Sequence, residues 1–431
     1  MIKLYKGLET MIKKPFWGFK KLELQYNTEP LSFQDVPVPQ EVIIFLKRSD
    51  KESKERLFHI GDMVKTGQKL KNTSDSLEYV ISPVTGKIVQ IFFYTDAFGR
   101  SYDGIKIESN GSDNWDAPFD NKPTLETAAE FLECVPGAVS FKELRDVTEN
   151  IHTIIINGMD VDLGITINQQ IVREELSLLK KGIGVLKQMM KVDNIIIVVP
   201  ETLTKEVHGI GIDVKTLPVV FPHALPSLII KNIFNKVIPS GKKPENIGIT
   251  VVNAESVVAI ADAFETRKIP VTKALSVIAK DGKVTNIRAR IGTLIGDILK
   301  VCNIILEEND RVILGGPMLG TTTYSKDLPI EPSTDAITVQ SESHSAQVTD
   351  FPCINCGECV RICPANIQVN MLGRFAEFGL YEDAKGYDLY SCIECALCAY
   401  VCTARRPLLQ YIKLAKHELE ILEYLEATDE Q

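Results

Sequence analysis

Eight of the ten cysteines lie in two closely spaced runs near the C-terminal end of the chain. Both runs have the spacing Cys-x2-Cys-x2-Cys-x3-Cys, and their members are Cys353, Cys356, Cys359 and Cys363, then Cys392, Cys395, Cys398 and Cys402. Three thiolates separated by two residues each can bind three corners of one cubane cluster, while the fourth points away toward another cluster. The spacing therefore predicts two [4Fe-4S] clusters that share ligands between the runs.

Each predicted cluster takes three cysteines from one run and one from the other. We assign to one cluster Cys353, Cys356, Cys359 and Cys402, and to the second Cys363, Cys392, Cys395 and Cys398. The alternative is a pair of structural zinc sites, which usually combine two Cys-x2-Cys units and do not pack their remaining ligands this tightly. Two copies of the four-cysteine run favour iron–sulfur clusters.

Composition limits what else the chain can be. Its 431 residues suggest two to four domains, and the net charge of -9 gives no electrostatic support for nucleic-acid binding. Cysteines grouped in this way indicate metal rather than disulfide chemistry. The sequence contains no run of about 18 uncharged apolar residues, so no membrane span is predicted. The first residues lack an apolar signal core, so we expect a cytoplasmic protein.

The other segments supply the scaffold. Residues 1–118 are predicted to form short β-strands separated by turn pairs such as Gly61-Asp62. Apolar runs at 152–160 and 194–201 predict buried strands, and 174–191 predicts an amphipathic helix between them. Strands alternating with helices indicate a mostly parallel sheet. Residues 321–350, rich in Ser and Thr, are predicted to be a connector.

Several stretches resemble the C subunit of Rnf electron-transport complexes, namely GDMVKTGQKL, INGMDVDLGIT, VTNIRARIGTLIGDIL, VILGGPMLG and CIECALCAYVCTARRPLLQYIKLAK. The resemblance implies a multidomain α/β and α+β protein with four parts. These are a barrel-sandwich domain of the biotinyl/lipoyl type at 1–118, a flavin/nucleotide-binding-like α/β domain similar to complex I's NADH-oxidising subunit at 119–238, a β-grasp unit of the soluble-ligand-binding type at 239–325, and an α-helical ferredoxin-like dicluster domain at 326–431.

The resemblance also implies a path for electrons. In the family, NADH passes electrons to FMN and then through the clusters to integral membrane subunits. The chain would then lie on the inner face of the cell membrane, held there by its partners. If electrons enter or leave by another route, we expect a ferredoxin, flavoprotein or cytochrome as redox partner.

The nucleotide loop departs from the family pattern. The family has a glycine-rich loop of the type G-G-A-G-F-P-T-x-x-K-L, whose backbone N–H groups can cradle a phosphate. This chain reads CVPGAVSFKEL there, with Glu143 in place of the lysine. We expect any surviving flavin site to be lined by Gly137, Asn157, Asp160, Asp162 and Thr166. The alternative is an inherited turn without a ligand.

Four functions remain open at this stage. The first is an electron-transfer subunit in which NADH oxidation is weakened or lost. The second is a working NADH:FMN dehydrogenase subunit of the same complex. The third is a soluble cobalamin-reductase-like flavo-iron–sulfur protein, and the fourth is a scaffold with purely structural clusters. Reduction of the clusters by NADH, by dithionite or by neither would separate these hypotheses.

Overall fold

A computed structural model describes residues 22–48, 56–73, 76, 78–96, 99–120, 122–137, 139–345, 347–349 and 351–429. Its first part is all β. The strands are β1 (Leu24–Gln25), β2 (Phe33–Asp35), β3 (Glu41–Lys47), β4 (Met63–Val64), β5 (Lys69–Leu70), β6 (Val80–Ile81), β7 (Gly86–Thr95) and β8 (Ser101–Ser109). An antiparallel sheet has the order β3-β8-β7-β4, and β5 pairs with β6. Residues of these strands, such as Ile44, Ile88 and Ile105, form a separate apolar core.

The second part is a parallel α/β layer. Its elements are α1 (Leu125–Phe131), α2 (Phe141–Val147), β9 (Thr153–Asn157), α3 (Ile167–Glu174), α4 (Leu176–Met190), β10 (Asn194–Pro200), β11 (Asp213–Leu217), β12 (Val220–Phe221), α5 (Pro226–Phe234), β13 (Ile249–Asn253) and α6 (Ala254–Thr266). The sheet order is β11-β10-β9-β13, and all three pairings are parallel. The predicted parallel sheet is confirmed. The helix expected over 174–191 is wrong at its start, because Glu174 ends α3.

Central strand β9 is buried along its whole length, and its side chains alternate between two cores. Ile154 and Ile156 pack into the core that α4 and α6 share, whereas Ile155 faces the core that reaches the cysteine region. Continuous apolar strands are expected when both faces of a parallel sheet are covered. Strand β9 therefore separates these two cores, and it ends at Asn157.

A six-stranded sheet follows the parallel layer. Its new elements are β14 (Thr272–Ile278), β15 (Val284–Arg290), α7 (Ile295–Val301), β16 (Arg311–Leu314), β17 (Thr321–Thr323) and β18 (Ala336–Gln340). The order is β17-β16-β18-β14-β15-β2, so the early strand β2 closes one edge. The connector predicted over 321–350 is wrong at β18, which is buried between β16 and β14. Its few apolar residues do not stand out among the Ser- and Thr-rich residues that flank them.

The cysteine region is helical. Its elements are α8 (Glu358–Ile362), α9 (Val369–Glu377), α10 (Tyr381–Gly386), α11 (Leu397–Tyr400) and α12 (Leu408–Asp429). The segment between the two cysteine runs contains α9 and α10, which are separated near Gly379, because its φ of +71° is unsuited to a helix. Long helix α12 packs against α9 and α10 through Ile412, Ala415 and Leu419. Within the described part of the chain, no helix has both the length and the apolar character needed to cross a membrane.

Candidate functional site

The two cysteine runs have the same backbone conformation at matching positions. Two residues after the first cysteine of each run, Asn355 and Glu394 have φ of +59° and +55°. One residue after the second cysteine, Gly357 and Ala396 have φ of +74° and +60°. Left-handed residues reverse the chain locally, so each loop curls around the space that its cysteines border. The two cysteine runs, which have the same spacing in the sequence, therefore also have the same backbone conformation.

The structure brings together the four cysteines predicted for the first cluster, Cys353, Cys356, Cys359 and Cys402, called here the first set. All four line one opening in the protein. Burial and the neighbouring thiols of Cys353, Cys356 and Cys402 raise the pKa of Cys359 to about 11. A thiol with these surroundings stays protonated at neutral pH unless a cation stabilises the thiolate.

The second set, Cys363, Cys392, Cys395 and Cys398, shows the same mutual influence. Burial, followed by the thiols of Cys392 and Cys363, raises the pKa of Cys395 to about 11. Burial and the thiols of Cys392, Cys395 and Cys363 also raise the pKa of Cys398. Each set thus contains three cysteines of one run and one cysteine of the other.

No group of three or more His, Cys, Asp or Glu side chains among the described residues is arranged to hold a single metal ion. A cubane cluster does not require such convergence, because its four thiolates bind four different iron atoms. The donor set of each group, four thiols, is the set that such a cluster takes. The chemistry and the grouping of the cysteines therefore fit two cubane clusters.

The two sets differ in exposure. In the first set Cys356 is exposed, and Cys353 and Cys402 are half-buried. In the second set Cys363, Cys395 and Cys398 are buried. Cys395 belongs to the apolar core that includes Met159, Leu163 and Met318 of the α/β part. The first set therefore lies toward solvent and the second lies against the α/β part of the chain.

Two cations lie beside the cysteine sets. Arg406 is 7% exposed, pairs with Glu377 and lines the opening of the first set. Lys416, on α12, donates hydrogen bonds to the carbonyl oxygen of Cys392 at 3.0 Å and to Glu394 at 2.7 Å. Lys416 was not predicted as a site residue, because it lies 14 residues beyond the last cysteine, although it ends the stretch that resembles the Rnf C subunit.

Four of the predicted flavin residues lie on the segment from the end of β9 to the start of α3. Asn157 donates to the carbonyl oxygen of Ala224 at 3.2 Å and accepts from the N–H of Met159 at 3.0 Å. The hydroxyl of Thr166 exchanges hydrogen bonds with the buried amide of Asn286 at 3.2 and 2.9 Å. Both side chains are thus engaged inside the protein.

The carboxylates of Asp160 and Asp162 are also engaged internally. Asp160 accepts from the N–H of Asn168 at 2.8 Å and from the amide of Gln169 at 3.0 Å, so it caps the first turn of α3. Asp162 accepts from the N–H groups of Met318 at 3.1 Å and Leu319 at 2.6 Å. Burial raises the pKa of each carboxyl to about 6.

The segment that carries these carboxylates faces the same apolar core as one cysteine of the second set. Met159 and Leu163, which flank the two aspartates in the chain, share this core with Cys395. Burial raises the pKa of Tyr26, a member of the same core, and the carboxylates of Asp162 and Asp160 and the thiol of Cys395 add to the effect.

The fifth predicted residue, Gly137, lies on a tightly packed loop. Its φ is +88°, its N–H donates to the carbonyl oxygen of Pro332 at 2.9 Å, and its carbonyl accepts from Asn253 at 3.4 Å. A Cβ atom added at Gly137 would lie 2.1 Å from the hydroxyl oxygen of Ser256. The protein's own side chains therefore fill the space beside this glycine.

The N-terminus of α2, the helix that follows this loop, already binds a carboxylate of the protein. The carboxylate of Glu133 accepts from the N–H of Lys142 at 2.8 Å, the N–H of Phe141 at 3.1 Å and the hydroxyl of Ser140 at 3.2 Å. These donors belong to the N-terminal end of α2, where phosphate groups commonly bind in nucleotide-binding loops. An internal carboxylate thus takes the donors that a phosphate would need.

Comparison with known proteins shows which proteins the chain is similar to. The family described as the RnfC barrel sandwich hybrid domain matches residues 17–112, and the Nuo51 FMN-binding domain matches residues 136–262. The C subunit of the proton-translocating ferredoxin:NAD(+) oxidoreductase complex of Clostridium ljungdahlii is 27% identical over 412 residues, which cover 89% of each chain. The chain is therefore similar to RnfC proteins over most of its length, and its first part matches their barrel-sandwich domain.

Other relatives are longer than the RnfC-like chain described here. The C subunit of the ion-translocating oxidoreductase complex of Klebsiella pneumoniae is 25% identical, with 97% of this chain and 59% of the relative covered. Its counterpart in Yersinia pseudotuberculosis is 27% identical, with 94% and 61% covered. The chain thus spans about three-fifths of these two relatives. An NAD+-reducing [NiFe]-hydrogenase in the H2-reduced state has a TM-score of 0.42 and 13% identity, with 63% of this chain and 54% of that chain covered.

The FMN-binding family match begins at the loop that contains Gly137. In this RnfC-like chain the loop does not fit a flavin phosphate, for two reasons. The side chains of Ser256 and Asn253 fill the space at the glycine, and Glu133 takes the donors at the start of α2. Sequence comparison detected the lost glycines and the charge of Glu143, but Glu133 lies outside the family's loop pattern.

Proposed function

We propose that this RnfC-like chain is an electron-transfer subunit of an Rnf-type ion-translocating oxidoreductase complex, and that it does not itself oxidise NADH. One observation carries the proposal. The eight clustered cysteines divide into two sets of four, and each set draws three members from one run and one from the other. This arrangement is the one expected for two [4Fe-4S] clusters that share ligands.

The first set would hold one cluster through Cys353, Cys356, Cys359 and Cys402, and the second set would hold the other through Cys363, Cys392, Cys395 and Cys398. When bound, such clusters accept and release single electrons. The chain's own residues would separate the two centres by environment. Cys395 is buried in an apolar core that it shares with Met159, Leu163 and Met318, whereas Cys356 is accessible to solvent.

Loss of NADH oxidation follows from the filled nucleotide loop. A phosphate brought to α2 would meet the carboxylate of Glu133, and like charges at hydrogen-bonding distance repel strongly. It would also compete with a carboxylate that already holds three donors. Electrons would then reach the chain from a ferredoxin, a flavoprotein or a cytochrome.

The assembly is also part of the proposal. The C. ljungdahlii and K. pneumoniae relatives are named as subunits of ion-translocating complexes. By analogy, integral membrane subunits would anchor this chain at the inner, cytoplasmic face of the cell membrane. We propose the division expected from the sequence, with a barrel-sandwich domain at 1–118, an α/β domain at 119–238, a β-grasp unit at 239–325 and a ferredoxin-like domain at 326–431. The hydrogen bonds of β18 to β14 support moving the last boundary beyond residue 340.

The test is anaerobic reconstitution of the full chain, with iron, sulfide, zinc and flavin measured before visible spectroscopy. The proposal predicts about eight iron and eight sulfide per chain. Dithionite should bleach the cluster absorbance, and NADH should leave it unchanged. Bleaching by NADH with stoichiometric flavin would instead establish the dehydrogenase function. Stoichiometric zinc without sulfide, or clusters that no reductant bleaches, would remove the electron-transfer function.

A further inference from the structure

The surface around the first cysteine set combines exposed apolar side chains with arginines. We define the rim as Val348, Phe351, Ile354, Arg361, Arg374 and Arg405. The three apolar members are 61%, 71% and 65% exposed, respectively. Large apolar side chains grouped beside a functional site often mark a surface that binds another molecule.

Hydrogen bonds hold the rim segments against one another. The N–H of Thr349 donates to the carbonyl oxygen of Arg405 at 3.2 Å, and its hydroxyl donates to that of Ala404 at 2.6 Å. This places Val348 beside the loop that follows Cys402. Ile354 and Arg374 line the opening of the first set together with its four cysteines. Arg361 also donates to the carbonyl oxygen of Cys356 at 3.2 Å, so the rim segments lie beside the exposed set.

The charge of this surface is opposite to that of the chain. The described charged side chains around the first set include four arginines, with Arg406 beside the three of the rim. Against them stand Glu358, which pairs with Arg361, and Glu377, which pairs with Arg406. The chain as a whole carries -9. A local positive excess on an acidic protein favours an acidic partner and orients it as it approaches.

We propose that the rim is the docking surface for a small acidic one-electron carrier protein of the ferredoxin class. The inference rests on the proposed function, because a carrier needs a redox centre at the surface it binds. The first set provides that centre, since Cys356 is the exposed cysteine among the eight. In the transfer, one electron leaves the reduced carrier and enters the chain, and no bond is made or broken. An anionic membrane would match the charge but would make no use of an exposed redox centre.

The test measures binding by the cluster-loaded full chain under anaerobic conditions. The probe is a purified acidic plant-type [2Fe-2S] ferredoxin, titrated by calorimetry at about 0.02 M and about 0.3 M ionic strength. Binding should weaken at least about tenfold at the higher ionic strength, because salt screens exposed charges. Arg405→Glu should weaken binding about tenfold at low salt, and Phe351→Ala should weaken it about threefold.

Matched controls separate docking from general effects. Lys180→Glu makes the same change in net charge as Arg405→Glu, at an exposed position of α4. Ile305→Ala removes an apolar side chain that lies outside the rim and is 81% exposed. Both should bind like the parent. Equal weakening by Lys180→Glu, or parent-like binding by both rim variants, would overturn the proposal, as would absence of binding by the parent at low salt.

A different occupant of the rim would give a different experimental result. Concentration-dependent dimerisation that Phe351→Ala abolishes would assign the rim to a second copy of the chain. Rim-dependent binding to anionic vesicles without ferredoxin binding would assign it to the membrane. Either result refutes the carrier proposal. Iron content and dithionite bleaching are measured on every sample, so failure to form reducible clusters would refute the proposed function instead.

Discussion

Replacing Gly137 with alanine tests whether the former nucleotide loop is packed shut. The added Cβ would lie 2.1 Å from the hydroxyl oxygen of Ser256 and 2.6 Å from the amide oxygen of Asn253. Both partners are fixed, because Ser256 donates to Asn253 at 2.6 Å and Asn253 caps α6 by accepting the N–H of Ser256 at 2.7 Å. The substitution must therefore displace the start of α6 or the loop itself.

The expected cost has three parts. A side chain at a φ of +88° costs about 1 kcal/mol. Displacing the Ser256 hydroxyl loses a hydrogen bond, which costs about 1 kcal/mol. Disturbing the Asn253 cap costs about 1 kcal/mol more. We therefore expect Gly137→Ala to lower the free energy of unfolding by about 3 kcal/mol.

The measurement is urea unfolding followed by circular dichroism, with the parent and variants in parallel. Gly184→Ala is the matched control, because this glycine lies within α4 and an added Cβ would meet nothing within 4 Å. It should stabilise the protein by about 0.5–1 kcal/mol. If Gly137→Ala unfolds at the same urea concentration as the parent, the loop is open and the argument against a phosphate site fails.

Three further predictions concern the cysteines and the buried charges. Cys402 lies in the second run but belongs to the proposed first set, so Cys402→Ser should remove about half of the bound iron. The control variant, Cys302→Ser, should keep the full iron content. Lys273→Met should destabilise the protein by about 3–5 kcal/mol, because it leaves the buried carboxylate of Glu255 and the half-buried carboxylate of Asp335 uncompensated. Lys181→Met breaks an exposed pair and should cost under about 1 kcal/mol in urea unfolding. The pKa of Asp160 is raised from 3.8 to about 6 in the folded protein, so the folded state holds this proton more tightly and stability falls as pH rises between these values. Asp160→Asn should reduce that fall by up to about 3 kcal/mol, and parallel stability curves for parent and variant between pH 4 and 7 would contradict the assignment.

The sequence predicted features that are local in the chain. The cysteine spacing predicted two sets of four ligands, and the four cysteines of the first set line one opening in the structure; the cluster assignment itself stays a prediction. The apolar runs correctly predicted β9 and β10, because strands covered on both faces need few polar residues. Asp160 and Asp162 were predicted to line any surviving flavin site, and family likeness alone did not reveal that backbone donors would occupy both carboxylates.

Features that depend on distant parts of the chain were missed. Strand β2 closes the six-stranded sheet more than 250 residues from its partner β15, and no local pattern encodes that pairing. Strand β18 was missed because its burial comes from its central position in the sheet. Glu133 was missed because a glutamate at the end of a helical segment normally lies in solvent. Its capping of α2 depends on how the loop between them folds.

The different surroundings of the two cysteine sets imply an order of reduction. Adding an electron to a cluster adds negative charge, which burial in apolar surroundings disfavours and nearby cations favour. In the proposed first set Cys356 is exposed, whereas in the second set Cys363, Cys395 and Cys398 are buried. Arg406 beside the first set and Lys416 beside the second are each paired with a glutamate, so burial rather than these cations decides the order. A redox titration should therefore show two steps, and Cys402→Ser should remove the one at higher potential. Loss of the lower step would mean that hydrogen bonding to the clusters, rather than burial and charge, controls the order.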